Sequence, residues 1–263
     1  ECILATNTSS LSVERMSEGL VNPERVVGFH FFNPVAVMPL LEIARTFKTD
    51  DASTATAVAV GKELKKTMII CKDAAGFVVN RLLTRFMGEI TDAVDEGTSP
   101  EIADNAMRSI GFPMSPFELL GLVGPGVALH VAETLHENLG PRYRISPTMQ
   151  AMVKEGVRTF YIKDENGNLA PNPAALALVH KGTTPSTSEQ VRLRALNALA
   201  EEASMMLKEG VVSTPAEIDL CMLMGAGWPM HLGGILPYLD REGISVAVAG
   251  ERFHQPGIAS LPQ

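Results

Sequence analysis

Along residues 1–73 the hydrophobic positions fall in short runs, and beyond residue 74 they recur at helical spacing. Ile3–Ala5, Arg25–Phe32, Leu40–Ile43 and Thr67–Cys71 are apolar stretches rich in β-branched or aromatic residues, a pattern that predicts short buried strands. Ala52–Lys65 places Ala55, Val58, Val60 and Leu64 at helical intervals behind an Asp pair able to cap them. Strand–helix–strand order implies a sheet with crossover helices, so residues 1–73 are expected to form the trailing part of a doubly wound, Rossmann-like domain.

The remainder reads as all-α. Leu83, Phe86, Met87, Ile90 and Val94 predict one buried helix face, with Gly97 as the stop. Ser99-Pro100-Glu101 restarts a helix with a capping hydroxyl and Pro at the first position, and Phe117–Leu122 and Val127–Leu139 are further helical material. Residues 141–182 are looser. Tyr161–Ile162 ahead of Glu165-Asn166-Gly167-Asn168 suggests a small hairpin with a type I′ turn.

Residues 183–263 repeat the earlier helical block. Arg81 to Glu96-Gly97 is echoed by Arg194 to Glu209-Gly210, an offset of 113. Pro100-Glu101-Ile102 through Gly111-Phe112-Pro113 is echoed by Ala216-Glu217-Ile218 through Gly227-Trp228-Pro229, and Thr214-Pro215-Ala216-Glu217 is a capping box. A duplicated helical domain follows. The expected division is 1–73, then 74–180, then 181–263 as the second copy.

Composition narrows the function classes. With 46% hydrophobic and 20% charged residues the chain can build a large core. Its net charge of −8, without a Lys/Arg run, speaks against nucleic acid and anionic membranes as partners. No apolar run approaches a membrane span and no signal peptide is recognisable. Cys2, Cys71 and Cys221 match neither a zinc spacing nor a disulfide framework, so a reducing compartment is expected. The chain opens on Glu1, directly into a strand-like run, and we expect more protein upstream.

Candidate chemistry is concentrated early. No Gly-x-Gly-x-x-Gly follows a strand; Gly121-Leu122-Val123-Gly124-Pro125-Gly126 lies between helices, and Pro125 removes a backbone donor. His30 stands near the end of a strand broken by Asn33-Pro34, and Glu42 follows on the next strand after Met38-Pro39-Leu40-Leu41. A histidine exchanges a proton near neutral pH, and a nearby carboxylate would orient its ring. On spacing alone the plainer reading, a structural histidine and an edge carboxylate, is favoured. Asn7-Thr8-Ser9-Ser10 reads most simply as a cap carried by Ser9 or Ser10, and Asn80 as another. His130, His136, His180, His231 and His254 lack metal-ligand spacing, and the two in the helix at 127–139 read as packing or surface residues.

Taken together, Asn7-Thr8-Ser9-Ser10-Leu11, His30-Phe31-Phe32-Asn33-Pro34, Met38-Pro39-Leu40-Leu41-Glu42 and Gly76-Phe77-Val78-Val79-Asn80-Arg81 resemble the L-3-hydroxyacyl-CoA dehydrogenases. The likeness covers most of 1–140 and, as the second copy, 183–255. It is nearest to the dehydrogenase part of the multifunctional fatty-acid oxidation proteins, where an enoyl-CoA hydratase domain comes first. The resemblance implies an α/β then all-α fold: the C-terminal part of a Rossmann-like NAD domain and two helical dehydrogenase domains.

It also implies roles that reverse the plainer readings. His30 matches the catalytic base and Glu42 its acidic partner. Ser9 and Asn80 match substrate contacts, Tyr238 falls near another, and Ser9, Asn33 and Asn7 match the cofactor side. NAD is the implied cofactor and 3-hydroxyacyl-CoA the implied substrate. The implied partners are the N-terminal remainder of the same protein and a thiolase subunit, in an oligomer of the bacterial cytosol rather than the mitochondrial matrix. A fragment lacking the glycine-rich half is expected to be inactive alone. A non-catalytic dimerisation piece, or a relative acting on another 3-hydroxy acid, are the alternatives. Two departures stand out: Ala75 replaces the family's Pro, and Val157-Arg158-Thr159-Phe160-Tyr161 replaces its Gly-Lys-x-Gly-Phe-Tyr segment.

Overall fold

Each early apolar run becomes a strand in the computed structural model, which describes residues 2–9 and 11–258. In chain order the elements are β1 (Leu4–Thr6), α1 (Val13–Ser17), β2 (Val26–Phe31), β3 (Leu40–Arg45), α2 (Asp51–Glu63), β4 (Thr67–Lys72) and α3 (Val79–Asp95). There follow α4 (Pro100–Asn105), α5 (Pro116–Val123), α6 (Pro125–Leu139), α7 (Pro147–Lys154), β5 (Tyr161–Lys163), β6 (Leu169–Pro171) and α8 (Pro173–Leu176). The last are α9 (Ser188–Lys208), α10 (Pro215–Gly225), α11 (Ile235–Arg241) and α12 (Ile244–Ala249). Two compact units result: residues up to Leu82 together with those from Ala200 onward, and Leu83–Leu199.

In the first unit the sheet runs β1-β2-β3-β4. β1 and β2 are parallel, β2 and β3 antiparallel, β3 and β4 parallel. The two parallel steps carry α1 and α2 as crossovers, as the strand–helix–strand reading requires. The antiparallel step is a short return through residues 32–39. Val27, Phe29, Leu41 and Ile43 form a core cluster with Ala57 of α2.

α2 begins where expected, with Asp50 as cap accepting from the Ser53 amide at 2.6 Å. Its inward face is not the expected one. Ser53, Thr54, Ala57 and Gly61 are buried, whereas Ala55, Val60 and Leu64 face out. Close approach explains this: a Cβ on Gly61 would meet Met68 Sδ at 2.6 Å, so only small side chains fit beneath the helix. In α3 the expected face holds at Phe86, Ile90 and Val94, which are buried together with Leu82 and Ala93, while Leu83 and Met87 are only half-buried.

The second unit contains the expected hairpin, with a different turn. Asp164 and Asn168 close a five-residue loop in which Asp164 Oδ1 accepts the Asn166 and Asn168 amides, each at 2.8 Å. Gly167 alone takes a left-handed φ, +82°, so this is not a type I′ turn, which needs two such residues. Asn166 keeps an ordinary φ because the Asp164 carboxylate already satisfies the loop amides.

The repeat is visible in the structure. Gly97 and Gly210, at φ +112° and +65°, stop α3 and α9, and Gly111 and Gly227 are left-handed at +84° and +69°. Ser99 caps α4 and the Glu217 carboxylate reaches back to the Thr214 amide at 2.7 Å. In each copy a buried aspartate receives one amide from the first turn of the following helix. Asp104 accepts from Phe117 N at 2.8 Å and Asp219 from Leu236 N at 2.8 Å. Each also takes an aromatic group from farther along: Tyr161 Oη donates to Asp104 at 2.7 Å, and His254 Nε2 meets Asp219 at 2.7 Å. The opening arginines exchange partners. Arg81 binds Glu209, and Arg194, its counterpart, binds Glu96.

Among the described residues no single helix is long and apolar enough to cross a membrane; α5 and α6 together meet that length and composition but are bent by 97°.

Candidate active site

His30 and Glu42 are twelve residues apart because the chain turns back between them, and the antiparallel register sets them directly opposite each other. His30 Nδ1 lies 2.7 Å from Glu42 Oε2. Both are buried, Glu42 completely. The other oxygen of Glu42 accepts the backbone amides of Val78 at 3.1 Å and Val79 at 3.0 Å, where α3 begins. A carboxylate at a helix N-terminus is favoured by the aligned amides. With Glu42 ionised, Nδ1 carries the hydrogen and donates it, which leaves Nε2 as the acceptor nitrogen.

Phe77 makes this possible. It is a buried non-glycine residue at φ +46°, next to Gly76 at +73°. That conformation is strained for a bulky side chain, at roughly 1–3 kcal/mol, and such strain gathers at functional sites. The turn it creates aims two successive amides at Glu42. The Phe77 ring and that of Phe32 lie 5.7 and 4.5 Å from the imidazole, so His30 is walled by apolar rings. The thiols of Cys71 and Cys221 stand near Glu42; burial first, then the Glu42 charge, pushes both well above the usual thiol range, so they remain neutral.

The polar residues of the site cluster around the ends of β1 and β2. Asn7 Oδ1 accepts the Phe31 amide at 3.0 Å, which ties the end of β1 to that of β2. Asn80 Nδ2 reaches the Ser9 carbonyl at 3.4 Å. Asn80 is the second residue of α3 rather than its cap. Nor is Ser9 a cap: α1 is capped by Ser12, whose hydroxyl accepts from Arg15 N and donates to Asp73. Placing that cap on Ser10 falls outside the described residues. Asn33 is exposed in the return after β2. The structure thus brings His30, Glu42, Ser9, Asn80 and Asn7 into one connected region. Tyr238 sits in α11, its ring edge-on to Trp228 at 5.5 Å and under the Arg241 guanidinium, contacts that tie it to the second helical copy.

Sequence reasoning missed several participants. Asp73 accepts the Ser12 hydroxyl and the Val13 and Glu14 amides, at 2.9, 3.1 and 2.8 Å. Lys66 braces the return after His30 by donating to the carbonyls of Val35 and, at 2.7 Å, Met38. His254, set aside for want of metal spacing, is paired with Asp219; aligning Phe160-Tyr161 with Phe253-His254 was the signal that would have found it. Among the described residues no group of acidic, His or Cys side chains could hold a metal ion.

In open α/β sheets, ligands lie at the carboxyl ends of the strands. Here that rim carries Asn7 and Asn33, both exposed, and the half-buried Ser9. A Rossmann-like layer whose rim carries a carboxylate-backed histidine is the architecture of an NAD-dependent dehydrogenase. Residues 1–74 match the NAD binding domain of 3-hydroxyacyl-CoA dehydrogenase, and residues 76–159 match its C-terminal domain. The chain belongs to the 3-hydroxyacyl-CoA dehydrogenase family.

Relatives agree. A fatty acid oxidation complex subunit alpha from Acinetobacter baumannii is 34% identical over 94% of this chain, and a peroxisomal fatty acid beta-oxidation multifunctional protein from Arabidopsis thaliana is 33% identical over 92%. The chain spans only 37% and 36% of their lengths. Among solved structures, an (S)-3-hydroxybutyryl-CoA dehydrogenase from Ralstonia eutropha is 35% identical with a TM-score of 0.56, over 60% of this chain and 56% of that one. The 3-hydroxybutyryl-CoA dehydrogenase of Escherichia coli shares the fold, with a TM-score of 0.72 over 98% of this chain and 74% of that one, at 22% identity.

Proposed function

We propose that this chain carries the acid–base half of an NAD-dependent oxidation of L-3-hydroxyacyl-CoA to 3-oxoacyl-CoA in fatty-acid β-oxidation. The observation that carries the reading is the chain His30–Glu42–amides of α3, which leaves Nε2 of a buried imidazole as a proton acceptor. A secondary alcohol does not lose its proton unaided, so Nε2 takes the 3-hydroxyl proton as the C3 hydride departs. General-base help of this kind is worth about 10²–10⁴-fold. Bound NAD supplies the hydride acceptor. Ser9, Asn33 and Asn7 would hold its nicotinamide side, and Ser9 and Asn80 the substrate oxygens, with Tyr238 a further substrate contact. Uncharged donors of this type polarise an oxygen without placing another charge beside the imidazole.

In this reading the modules are 1–73, the sheet-bearing part of the NAD domain, then 74–180 and 181–263, the two helical copies. The residues contain no glycine-rich phosphate cradle, so turnover requires one from elsewhere in a longer protein. An enoyl-CoA hydratase domain and a thiolase subunit are the partners we infer, from the kinship with fatty acid oxidation complex subunits. Three scattered free cysteines accord with a reducing compartment, in our reading the bacterial cytosol.

The test is reduction of acetoacetyl-CoA by NADH, followed at the nicotinamide absorbance, with the full-length polypeptide that contains this chain. Activity lost in His30→Ala, with the fold retained, upholds the reading. A cofactor-binding protein inert toward every 3-oxoacyl-CoA would overturn it.

A further inference from the structure

Arg81 is the member of the Gly76–Arg81 motif to which the dehydrogenase reading gives no part. Its guanidinium is completely buried, a costly place for a cation unless every donor is matched. Nε donates to Glu202 Oε1 at 2.6 Å, and Nη1 and Nη2 form a fork on Glu209 at 2.7 and 3.1 Å. Glu202 is also completely buried, while Glu209 is partly exposed. A planar fork gripping two carboxylates fixes direction as well as distance, which an ammonium group does not.

What this grip holds is the first turn of α3. Arg81 follows Asn80 directly and Val79 by two residues, and its own amide bonds back to the Gly76 carbonyl at 3.1 Å. Any slip of that turn would move the Val78 and Val79 amides off Glu42 and Asn80 off Ser9 together. We propose that Arg81, clamped by Glu202 and Glu209, is a positioning residue that seats the start of α3 so that its amides keep Glu42 aimed at His30. The inference rests on the reading of His30 as general base.

The groups facing this carboxylate are the imidazole, the two amides, and the neutral thiols of Cys71 on β4 and Cys221 on α10; Asp73 and Glu217 act on those same thiols. Phe32 and Phe77 cover the imidazole. Glu42 relieved of its amide donors is a stronger partner for a protonated imidazole. Loosening α3 therefore moves the acid limb of the rate profile to higher pH.

The experiment measures kcat and KM for L-3-hydroxybutyryl-CoA oxidation across about pH 5–9 in the full-length protein. It compares Arg81→Lys, Glu202→Gln, the milder Glu209→Ala, and Ile244→Ala as a core variant remote from the motif. Arg81→Lys should lower kcat/KM by roughly 10- to 100-fold, mainly through kcat, since displacement by an ångström can cost that much. Its acid limb should rise by about half a pH unit or more. Glu209→Ala should show the same changes to a smaller degree, and it decides the matter if Arg81→Lys does not fold. Ile244→Ala should lose thermal stability with an unmoved profile. Folded Arg81 and Glu209 variants whose profiles match that of Ile244→Ala would sink the positioning role. His30→Ala is run alongside: if it still oxidises substrate, the general-base reading fails first, whereas inactive His30→Ala with normal Arg81 variants removes this inference alone.

Discussion

His30 and Glu42 face each other across a register pair of the β2–β3 return, so the contact between base and carboxylate is built into the sheet rather than into a loop. A strand pair holds such a geometry more firmly than a connecting segment can. His30→Ala should lower kcat by about 10²–10⁴-fold and, with the fold retained, destabilise by about 1–3 kcal/mol, because the buried Glu42 Oε2 loses its donor. Glu42→Gln should be damaging in both respects, because its amide group must donate somewhere in a site arranged for a carboxylate. Steady-state kinetics beside thermal melts separate the two. Unchanged kcat in Glu42→Gln would show that the carboxylate has no part in orienting the imidazole.

Asp73 should prove to hold the polar rim through α1. Its carboxylate receives one hydroxyl and two amides from the start of that helix. Asp73→Ala removes both acceptor oxygens, and with them all three hydrogen bonds, and should cost about 0.5–2 kcal/mol, the range of a lost helix cap. Because Ser9 lies just before α1, KM for the acyl-CoA should rise with it. Denaturant melts and KM measurements give the two readouts.

Asp92 makes stability depend on pH. Burial lifts its carboxyl to about 7, while Arg144 at 3.6 Å pulls it down and Glu89 and Asp95 push it further up. Between about pH 4 and 7 the folded chain therefore keeps a proton that the unfolded chain has released. More protons on the native state mean that stability falls as pH rises through this window and levels off above it. Asp92→Asn should gain on the order of a few kcal/mol relative to the parent at pH 8 and almost nothing at pH 4. Urea titrations at the two pH values test this. An equal difference at both would remove Asp92 as the source.

The paired aspartates of the two copies should respond alike. Tyr161→Phe leaves an oxygen of the buried Asp104 without its hydroxyl donor, and His254→Phe does the same to Asp219. Each should destabilise by about 1–3 kcal/mol. Neither should alter cofactor affinity. Differential scanning calorimetry with NADH titration would show otherwise if the altered segment at 157–161 had a binding role.

Much of the fold was legible because its signals are local. Strand positions, the caps at Asp50 and Ser99, and the stops at Gly97 and Gly210 came through from residue type alone. The inward face of α2 did not, and that of α3 came through only in part, since it depends on how closely each helix approaches its neighbours, as Gly61 shows against Met68. The pairing of His30 with Glu42 was available only through kinship, because twelve residues of spacing do not reveal an antiparallel register. Asp73 and Glu202 were invisible for a similar reason. An acidic residue that receives amides from a helix sixty positions away looks like any other surface charge until the chain has folded.

The exchange of partners between Arg81–Glu209 and Arg194–Glu96 constrains how the duplicated block can change over time. Within one copy the arginine and glutamate are fifteen helical positions apart, about 22 Å at 1.5 Å per residue, too far to meet. Each copy is thus electrically incomplete and finds its complement in the other. A charge change at residue 81 is answered at residue 209, in the opposite copy, and one at residue 194 at residue 96. The two halves cannot diverge independently at these positions, and a single copy released from the pair would have to find its missing carboxylate on a second molecule.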